Sequence, residues 1–169
     1  MVAADAVVGR LVGHSDPAAG PAGGYPASMG ATGSGPFEND DALDFLDALG
    51  DLPPQDRAGR VLGALDSVLL SPGYVLAPTM CEAVAAAAAV GASVDPGAAA
   101  GEPYLPAWLA TAPLPTGDEE IVEKARQVLR RAVRSHDNEW WELWDEAGLA
   151  DDVVVSCQRA LGWLGDRDD

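Results

Sequence analysis

The sequence predicts an all-α fold: a single compact bundle of about six or seven helices, with a flexible glycine-rich N-terminal arm. Apolar residues recur at the three-and-four spacing of helix faces, and no stretch alternates convincingly with period two. Residues that start or stop helices bound most of these apolar stretches. We expect one helical domain over residues 29–169, which is long enough for a substantial hydrophobic core.

The first predicted helix follows a glycine-rich segment, residues 30–35, begins after Asn39 and ends at Gly50. Asparagine is a good N-cap because its side-chain oxygen accepts a hydrogen bond from a free backbone N–H one turn ahead. Asp40 and Asp41 would place negative charge at the positive end of the helix dipole. The predicted core-facing residues of this helix are Ala42, Phe45, Leu46 and Leu49.

Two further helices are predicted next. The second ends near Leu70, and its predicted core stripe is Val61, Leu62, Leu65, Val68 and Leu69. The third covers about residues 78–91 and is mostly alanine, which has the highest helix propensity and lets neighbouring helices approach closely. We therefore predict that it is the central packing helix. Residues 92–117 are predicted to be loop, apart from a short helix at 106–110 with Trp108 pointing inward.

Three helices are predicted in the C-terminal part. A capping box at 116–119 opens the clearest of them. Its apolar stripe is Ile121, Val122, Ala125, Val128, Leu129, Ala132 and Val133. After a break at 135–137, a short helix carries Trp140 and Trp144 on its inner face and Trp141 at the edge of that face. The last helix buries Val153, Val154, Cys157, Ala160, Leu161 and Leu164.

The run MGATGSGPFENDDALDFL, which begins at Met29, resembles the opening of a bacterial family catalogued as domain of unknown function 4259. Members begin with Met-Gly and a glycine-rich stretch, followed by Gly-Pro-Phe-Asp/Glu-Asn-Asp. Phe37, Asn39 and Asp40 fall on that pattern, whereas Thr32 stands where the pattern has a tryptophan. A weaker likeness continues to the C-terminus. The resemblance implies a small bacterial domain without an established activity.

The net charge of −17 is the most unusual property of the chain. Of the 27 acidic residues only Asp5 and Asp16 precede Met29, and of the 10 basic residues only Arg10 does, which leaves −16 on the predicted domain. Such a surface repels nucleic acid and anionic membranes, so we expect neither as a partner. No stretch reaches the ~18–20 apolar residues of a membrane span. We predict a cytoplasmic protein.

Residues 1–28 are predicted to be a disordered extension or linker. Residues 17–24 are rich in proline, alanine and glycine, which is typical of a mobile linker. A secretory signal is not expected, because Asp5 precedes the apolar part and no hydrophobic region of adequate length follows. We expect the native protein to begin at Met29.

The sequence assigns no catalytic residue, no metal site and no cofactor. The glycine run lacks the preceding strand and the following Gly-Lys-Ser/Thr of a phosphate-binding loop. Cys81 and Cys157 are far apart and form neither a disulfide framework nor a metal site. The residues assigned to a candidate binding surface are Phe37, Asn39, Asp40, Asp41 and Trp141.

Three function hypotheses remain open. The first is a non-enzymatic binding module for a basic partner protein, as immunity and antitoxin proteins are. Its bland alternative is an acidic surface that is solvated and binds no partner. The second is a small hydrolase or transferase built on His136 and acidic residues, and the third is a self-assembling structural subunit. The missing second histidine, nucleophile motif and metal spacing argue against an enzyme. Arg126, Arg130 and Arg134 share a helix face and are expected to pair with the protein's own carboxylates.

Overall fold

The computed structural model describes residues 24–165, and this part of the chain contains seven α-helices and two 3₁₀ helices. The α-helices are α1 (Asp40–Asp51), α2 (Pro54–Leu69), α3 (Ala77–Val94), α4 (Pro96–Ala99), α5 (Glu119–Ala132), α6 (Glu139–Glu146) and α7 (Ala150–Trp163). The 3₁₀ helices span Ala27–Met29 and Ala107–Ala110. Within the described residues, extended pairing is limited to one parallel bridge between Val75 and Asn138. The predicted all-α fold is confirmed.

Helix α3 is the centre of the bundle, as its alanine-rich sequence predicts. It contacts each of the other six α-helices, and most of its residues are buried. Small side chains make this packing close, because helix backbones can approach one another only where little lies between them. At Gly91 even a Cβ atom would stand 3.2 Å from the carbonyl oxygen of Ala160 on α7. The alanines therefore serve the packing as well as the helix itself.

Among residues 24–165, α3 is also the single helix that is long and apolar enough to cross a membrane. Its mean hydropathy is 1.4, and 72% of it is buried inside the fold. A core helix of a soluble protein has this combination of composition and burial.

The apolar stripes read from the sequence face the core. All four predicted residues of α1 are buried, and so is the α5 stripe except Val133, which is half-buried. On α2 the buried face contains Val61, Leu65 and Val68, but it also contains a charged residue, Arg57. Helical periodicity therefore identified the faces correctly and missed one polar member.

Two local predictions are wrong. Residues 96–99, predicted to be loop, form α4, because Asp95 accepts a hydrogen bond from the Ala98 amide at 2.9 Å and Pro96 favours a first helical turn. Helix α5 is capped by Asp118 rather than by Thr116: the Asp118 carboxylate accepts from the Glu120 amide at 3.0 Å. Aspartate caps as well as threonine does and adds a favourable interaction with the helix dipole.

Residues 25 and 26, just before the predicted boundary at Met29, contact the helical bundle. Pro26 is buried, and the Tyr25 ring packs edge-on against Trp144 with centroids 6.3 Å apart. Met29 itself is buried, with its sulfur 3.8 Å from that of Cys81. The rest of the predicted extension, residues 1–23, lies outside the described residues, as do residues 166–169.

Candidate functional site

The glycine-rich loop before α1 closes over acidic side chains. The Gly35 amide donates to Glu38 Oε2 at 2.9 Å, and a Cβ at Gly33 would lie 2.3 Å from Glu38 Oε1. Gly30 has a φ of 56°, and a Cβ there would lie 2.0 Å from Asp40 Oδ2. Glycine suits these positions because two carboxylates rest directly on the backbone. The loop is thus fitted to the residues that follow it.

Phe37 and Asn39 lie inside the fold. Phe37 is fully buried, and Asn39 is only 4% exposed. The Asn39 side chain accepts a hydrogen bond from the Ala42 amide at 2.8 Å, which confirms it as the N-cap of α1. These two members of the candidate binding set therefore pack and cap, and neither offers surface to a partner in this conformation.

The Asn39 cap gives a first prediction. Replacing Asn39 with alanine should lower the free energy of unfolding by about 1–2 kcal/mol, because the Ala42 amide loses its acceptor in a buried place. Asn39→Asp keeps an acceptor oxygen and should lose much less. Urea denaturation followed by circular dichroism measures both. Equal stability of the alanine variant and the wild type would contradict the capping role.

The exposed side of α1 carries an acidic stripe, which we define as Asp40, Asp44, Asp47 and Asp51. All four are exposed, and their spacing of four, three and four residues puts them on one helix face. Asp41 lies beside them and is partly buried. Its pKa is raised by burial, and then by the neighbouring charges of Asp44 and Asp40. The negative charges of the aspartates in the stripe therefore repel one another.

Several carboxylates outside α1 pair with basic side chains, whereas no such pair within residues 24–165 involves the stripe. Arg60 pairs with Glu82 at 3.3 Å, and Arg159 pairs with Glu102 at 2.7 Å. Lys124 bridges α2 and α5 through Asp66 at 2.9 Å. Within residues 24–165 no basic side chain forms an ion pair with the four aspartates of the stripe. Its charge is consequently open to solvent.

Trp141 lies on a different helix from the other candidate binding residues. It is half-buried on α6, while Trp140 and Trp144 on the same helix are 3% and 1% exposed, as their helical spacing predicts. Helix α6 packs on α3 and α7, whereas α1 packs on α2 and α3. Trp141 is therefore not part of the α1 stripe.

The contiguous Ser135, His136 and Asp137 form no triad. His136 is exposed in a turn with a φ of 62°, and the Asp137 carboxylate accepts from Arg131 at 2.8 Å instead. Among the described residues, no three His, Cys, Asp or Glu side chains are placed to hold a metal ion. Both cysteines are buried: burial raises the pKa of the Cys157 thiol to about 12, and that of Cys81 also lies well above its usual value. Neither thiol ionises readily.

Arg126 behaves as predicted for the arginine face of α5. It pairs with Glu119 at 3.2 Å and Glu123 at 3.3 Å, and it also donates to the carbonyl of Leu164 at 2.7 Å. Hydrogen bonds from Gln127 and from Arg126 hold the pKa of Glu123 below its usual value. These contacts join the first turns of α5 to the end of α7.

Arg131 was not singled out by the sequence, yet it ties three segments together. Its guanidinium donates to the carbonyl of Val68 at the end of α2 and to those of Ser71, at 3.1 Å, and Gly73, at 2.9 Å. It also pairs with Asp137. We call this set the Arg131 clamp. Because Arg131 neighbours Arg130 in sequence, charge alone could not distinguish it from a surface residue.

Arg57 is the second residue that sequence analysis missed. It is buried, donates to the carbonyls of Gly50 at 2.8 Å and Leu52 at 3.1 Å, and lies 4.5 Å from the centre of the Trp108 ring. Arg57 precedes Val61 by one helical turn, so its place on the apolar stripe was a signal in the sequence. It fastens the end of α1 to α2.

Comparison with known proteins identifies the family. No curated protein and no solved structure matches the chain. The model of one family, described as Domain of unknown function (DUF4259), matches residues 30–154, which include the glycine loop and α1 to α6. The chain therefore belongs to the DUF4259 family.

Proposed function

We propose that the protein is a non-enzymatic binding module whose α1 acidic stripe docks a basic partner protein, as immunity and antitoxin proteins do. The observation that carries the proposal is the uncompensated charge of the stripe. Basic residues of the same chain pair with carboxylates on α2, α3 and α5, whereas within the described part of the chain none pairs with the four aspartates of the stripe. Charge of this kind is available for a partner.

Folding does not account for the stripe. Aspartates in the first turn, such as Asp40, gain from the helix dipole, but Asp47 and Asp51 lie towards the negative end, where the dipole opposes them. Like charges one turn apart also destabilise a helix, by about 0.2–0.5 kcal/mol for each pair. A basic partner would relieve both effects when it binds.

Such a surface would speed binding by attracting a basic protein electrostatically as it approaches. A patch of one sign raises the rate of association with an oppositely charged protein by 10–10³ at low salt, and salt screens this effect over a Debye length of ~10 Å at 0.1 M. We therefore expect the association rate to fall as salt rises, while the dissociation rate changes little.

The experiment uses a neutralised stripe, the triple variant Asp44→Asn, Asp47→Asn and Asp51→Asn. Wild type and variant are immobilised and exposed at low salt to native lysate, and each retained protein is then purified for salt-dependent binding kinetics. We expect a basic protein that the wild type retains and the variant loses. Its association rate with the wild type should fall steeply with salt, and with the variant it should fall much less.

A matched variant controls for total charge. Asp145→Asn, Glu146→Gln and Asp152→Asn also remove three exposed negative charges, but from α6 and α7. This variant should retain the same partner with nearly unchanged kinetics. If both triple variants lose the partner equally, or if the retained proteins are neutral or acidic, the stripe is not the docking surface.

A further inference from the structure

The segment that joins α2 to α3 displays two apolar side chains to solvent. Val75 is buried, so its neighbours in this extended segment, Tyr74 and Leu76, point outward. Tyr74 is 48% exposed and Leu76 is 60% exposed. Large apolar side chains gain free energy when they leave water, so two of them displayed together mark a candidate contact surface.

This segment is held firmly against the start of α6. The Val75 amide donates to the carbonyl of Asp137 at 3.3 Å, and the Val75 carbonyl accepts from the amide of Glu139 at 2.9 Å. The Arg131 clamp holds the preceding loop at the carbonyl of Gly73. Because the segment is already ordered, little conformational entropy would be lost when a partner packs on it.

Glutamates of α6 lie beside these apolar side chains. The Tyr74 hydroxyl donates to Glu142 at 2.5 Å, and Glu139 accepts at 2.8 Å from the backbone amide that follows Leu76. Glu146 lies one helical turn beyond Glu142, on the same face of α6. We define the loop–α6 surface as Tyr74, Leu76, Glu139, Glu142 and Glu146.

The charged side chains of the loop–α6 surface are all negative. Neither residues 70–79 nor α6 contains a lysine or an arginine. The pKa of Tyr74 is raised to about 12, first by its hydrogen bond to Glu142 and by partial burial, and then by the charges of Glu142, Glu139 and Glu146. Within residues 24–165 no basic side chain forms an ion pair with these glutamates.

Basic residues of the neighbouring elements do not offset this charge. Arg131, which reaches the loop at Gly73, is itself paired with Asp137. Arg134, in the segment before α6, lines a depression along α5 together with Leu69 of α2. The excess of carboxylates therefore favours a basic ligand.

We propose that the loop–α6 surface docks a basic, apolar segment of a partner protein. An arginine of that segment pairs with Glu142 and Glu146 and stacks on the Tyr74 ring. A neighbouring large apolar side chain packs on Leu76. Arginine suits this position better than lysine, because its planar guanidinium binds carboxylates through parallel hydrogen bonds and also stacks on aromatic rings.

This inference does not rest on the acidic stripe of α1. Helix α6 packs on α3 and α7, whereas α1 packs on α2 and α3. The stripe consists of aspartates on an exposed helix face, while the loop–α6 surface combines carboxylates with apolar side chains. Variants of each surface therefore test the two proposals separately.

Other occupants fit the loop–α6 surface less well. Its glutamates repel nucleic acid and anionic membranes. A two-fold dimer that used this surface would bring the same glutamates of both copies together, because each copy faces the same residues of the other. Among the described residues no three carboxylates are placed to hold a metal ion.

The test starts with peptides selected from a random library displayed on phage, with the full chain as the target. Selection is carried out at about 0.15 M salt, where attraction beyond ~8 Å is largely screened, so that net charge alone does not retain a peptide. We expect selected peptides in which arginine lies next to leucine or an aromatic residue. Lysine in place of that arginine should weaken binding.

Synthetic copies of the peptides are then titrated against variants by fluorescence anisotropy. Leu76→Ala should weaken binding about fivefold, since it removes the apolar contact. The double variant Glu142→Gln and Glu146→Gln should weaken binding about tenfold, because it removes both carboxylates that pair with the arginine. Glutamine at position 142 still offers an oxygen to the Tyr74 hydroxyl, so the loop keeps this contact.

Two matched controls keep the result specific. The double variant Asp44→Asn and Asp47→Asn removes the same charge from α1, and Val155→Ala shortens another exposed apolar side chain, on α7. Both should bind the peptides nearly as the wild type does. A failure of the α1 proposal would leave these results unchanged.

Several outcomes would overturn the proposal. Selected peptides that are acidic or neutral, or basic without an apolar residue, would contradict its chemistry, and failure to select any peptide would remove the site. Peptides that bind Leu76→Ala as tightly as Val155→Ala, or the two double variants equally, would place the site elsewhere. If light scattering shows a dimer of the free chain that Leu76→Ala dissociates, the surface belongs to a second copy instead.

Discussion

Replacing Trp144 with alanine is expected to lower the free energy of unfolding by about 3–5 kcal/mol. Trp144 is almost completely buried, and its ring packs edge-on against Trp140 at 6.2 Å between centroids and against Tyr25 at 6.3 Å. Truncation would leave a large cavity between α6 and the segment that precedes the glycine loop. Urea denaturation followed by far-ultraviolet circular dichroism measures the loss without relying on tryptophan fluorescence.

Two variants separate packing from other effects of this change. Trp144→Phe should cost much less than Trp144→Ala, because the indole Nε1 has no hydrogen-bond partner among the described residues. Trp141→Ala, on the exposed edge of the same helix, should also be milder, since Trp141 is only half-buried. Losses of equal size at Trp141 and Trp144 would contradict the arrangement of α6.

Breaking the Arg131 clamp should have the second largest effect. Arg131→Met keeps most of the aliphatic packing but leaves Asp137 and three carbonyl oxygens without their donor, including that of Val68. Because Asp137 and the loop carbonyls can recover some hydration, we expect a loss of about 2–4 kcal/mol in the free energy of unfolding. Limited proteolysis should also cut the α2–α3 loop faster.

Arg134→Met is the matched control for the clamp. It removes the same charge three residues further along, where no acceptor within residues 24–165 is lost, so its effect should stay within about 0.5 kcal/mol. If the two methionine variants unfold at the same urea concentration, the contacts of Arg131 contribute little and the loop is held in another way.

Sequence periodicity predicts α1, α2, α5, α6 and α7 well, because each of these helices buries one apolar face. The α5 stripe, from Ile121 to Ala132, is buried as predicted, and α3 is central because an alanine-rich helix can be approached from all sides. The Asn39 cap is predictable because it is local: Asn39 needs only the amide of Ala42, three residues away.

Periodicity does not reveal contacts between segments that are distant in the sequence. The Arg131 clamp joins α5 to carbonyl groups about sixty residues earlier in the chain, and backbone carbonyls carry no sequence signature. Arg57 was missed for a related reason, because a charged residue on an apolar stripe is read as an interruption. Its partners, the carbonyls of Gly50 and Leu52, lie at the end of α1 and just after it, and carbonyls carry no sequence signature.

The candidate binding residues show the same limit of sequence reasoning. The sequence places Phe37, Asn39, Asp40 and Asp41 together, but it does not distinguish residues that are needed for folding from residues that face a partner. Burial makes that distinction: the first two are inside, while Asp40 is exposed. Trp141 lies on α6 and belongs to a separate surface.

The position of α3 has a consequence for the rate and order of folding. Helix formation in an 18-residue alanine-rich segment draws on intrinsic propensity and takes about a microsecond or less, before any tertiary contact exists. Every other α-helix buries its apolar face on this one, so each can dock as soon as α3 has formed. The transition state for folding is therefore expected to be built around α3. An alanine-to-glycine change in its middle, such as Ala86→Gly, would mainly slow folding, whereas a truncation on α6 would mainly speed unfolding.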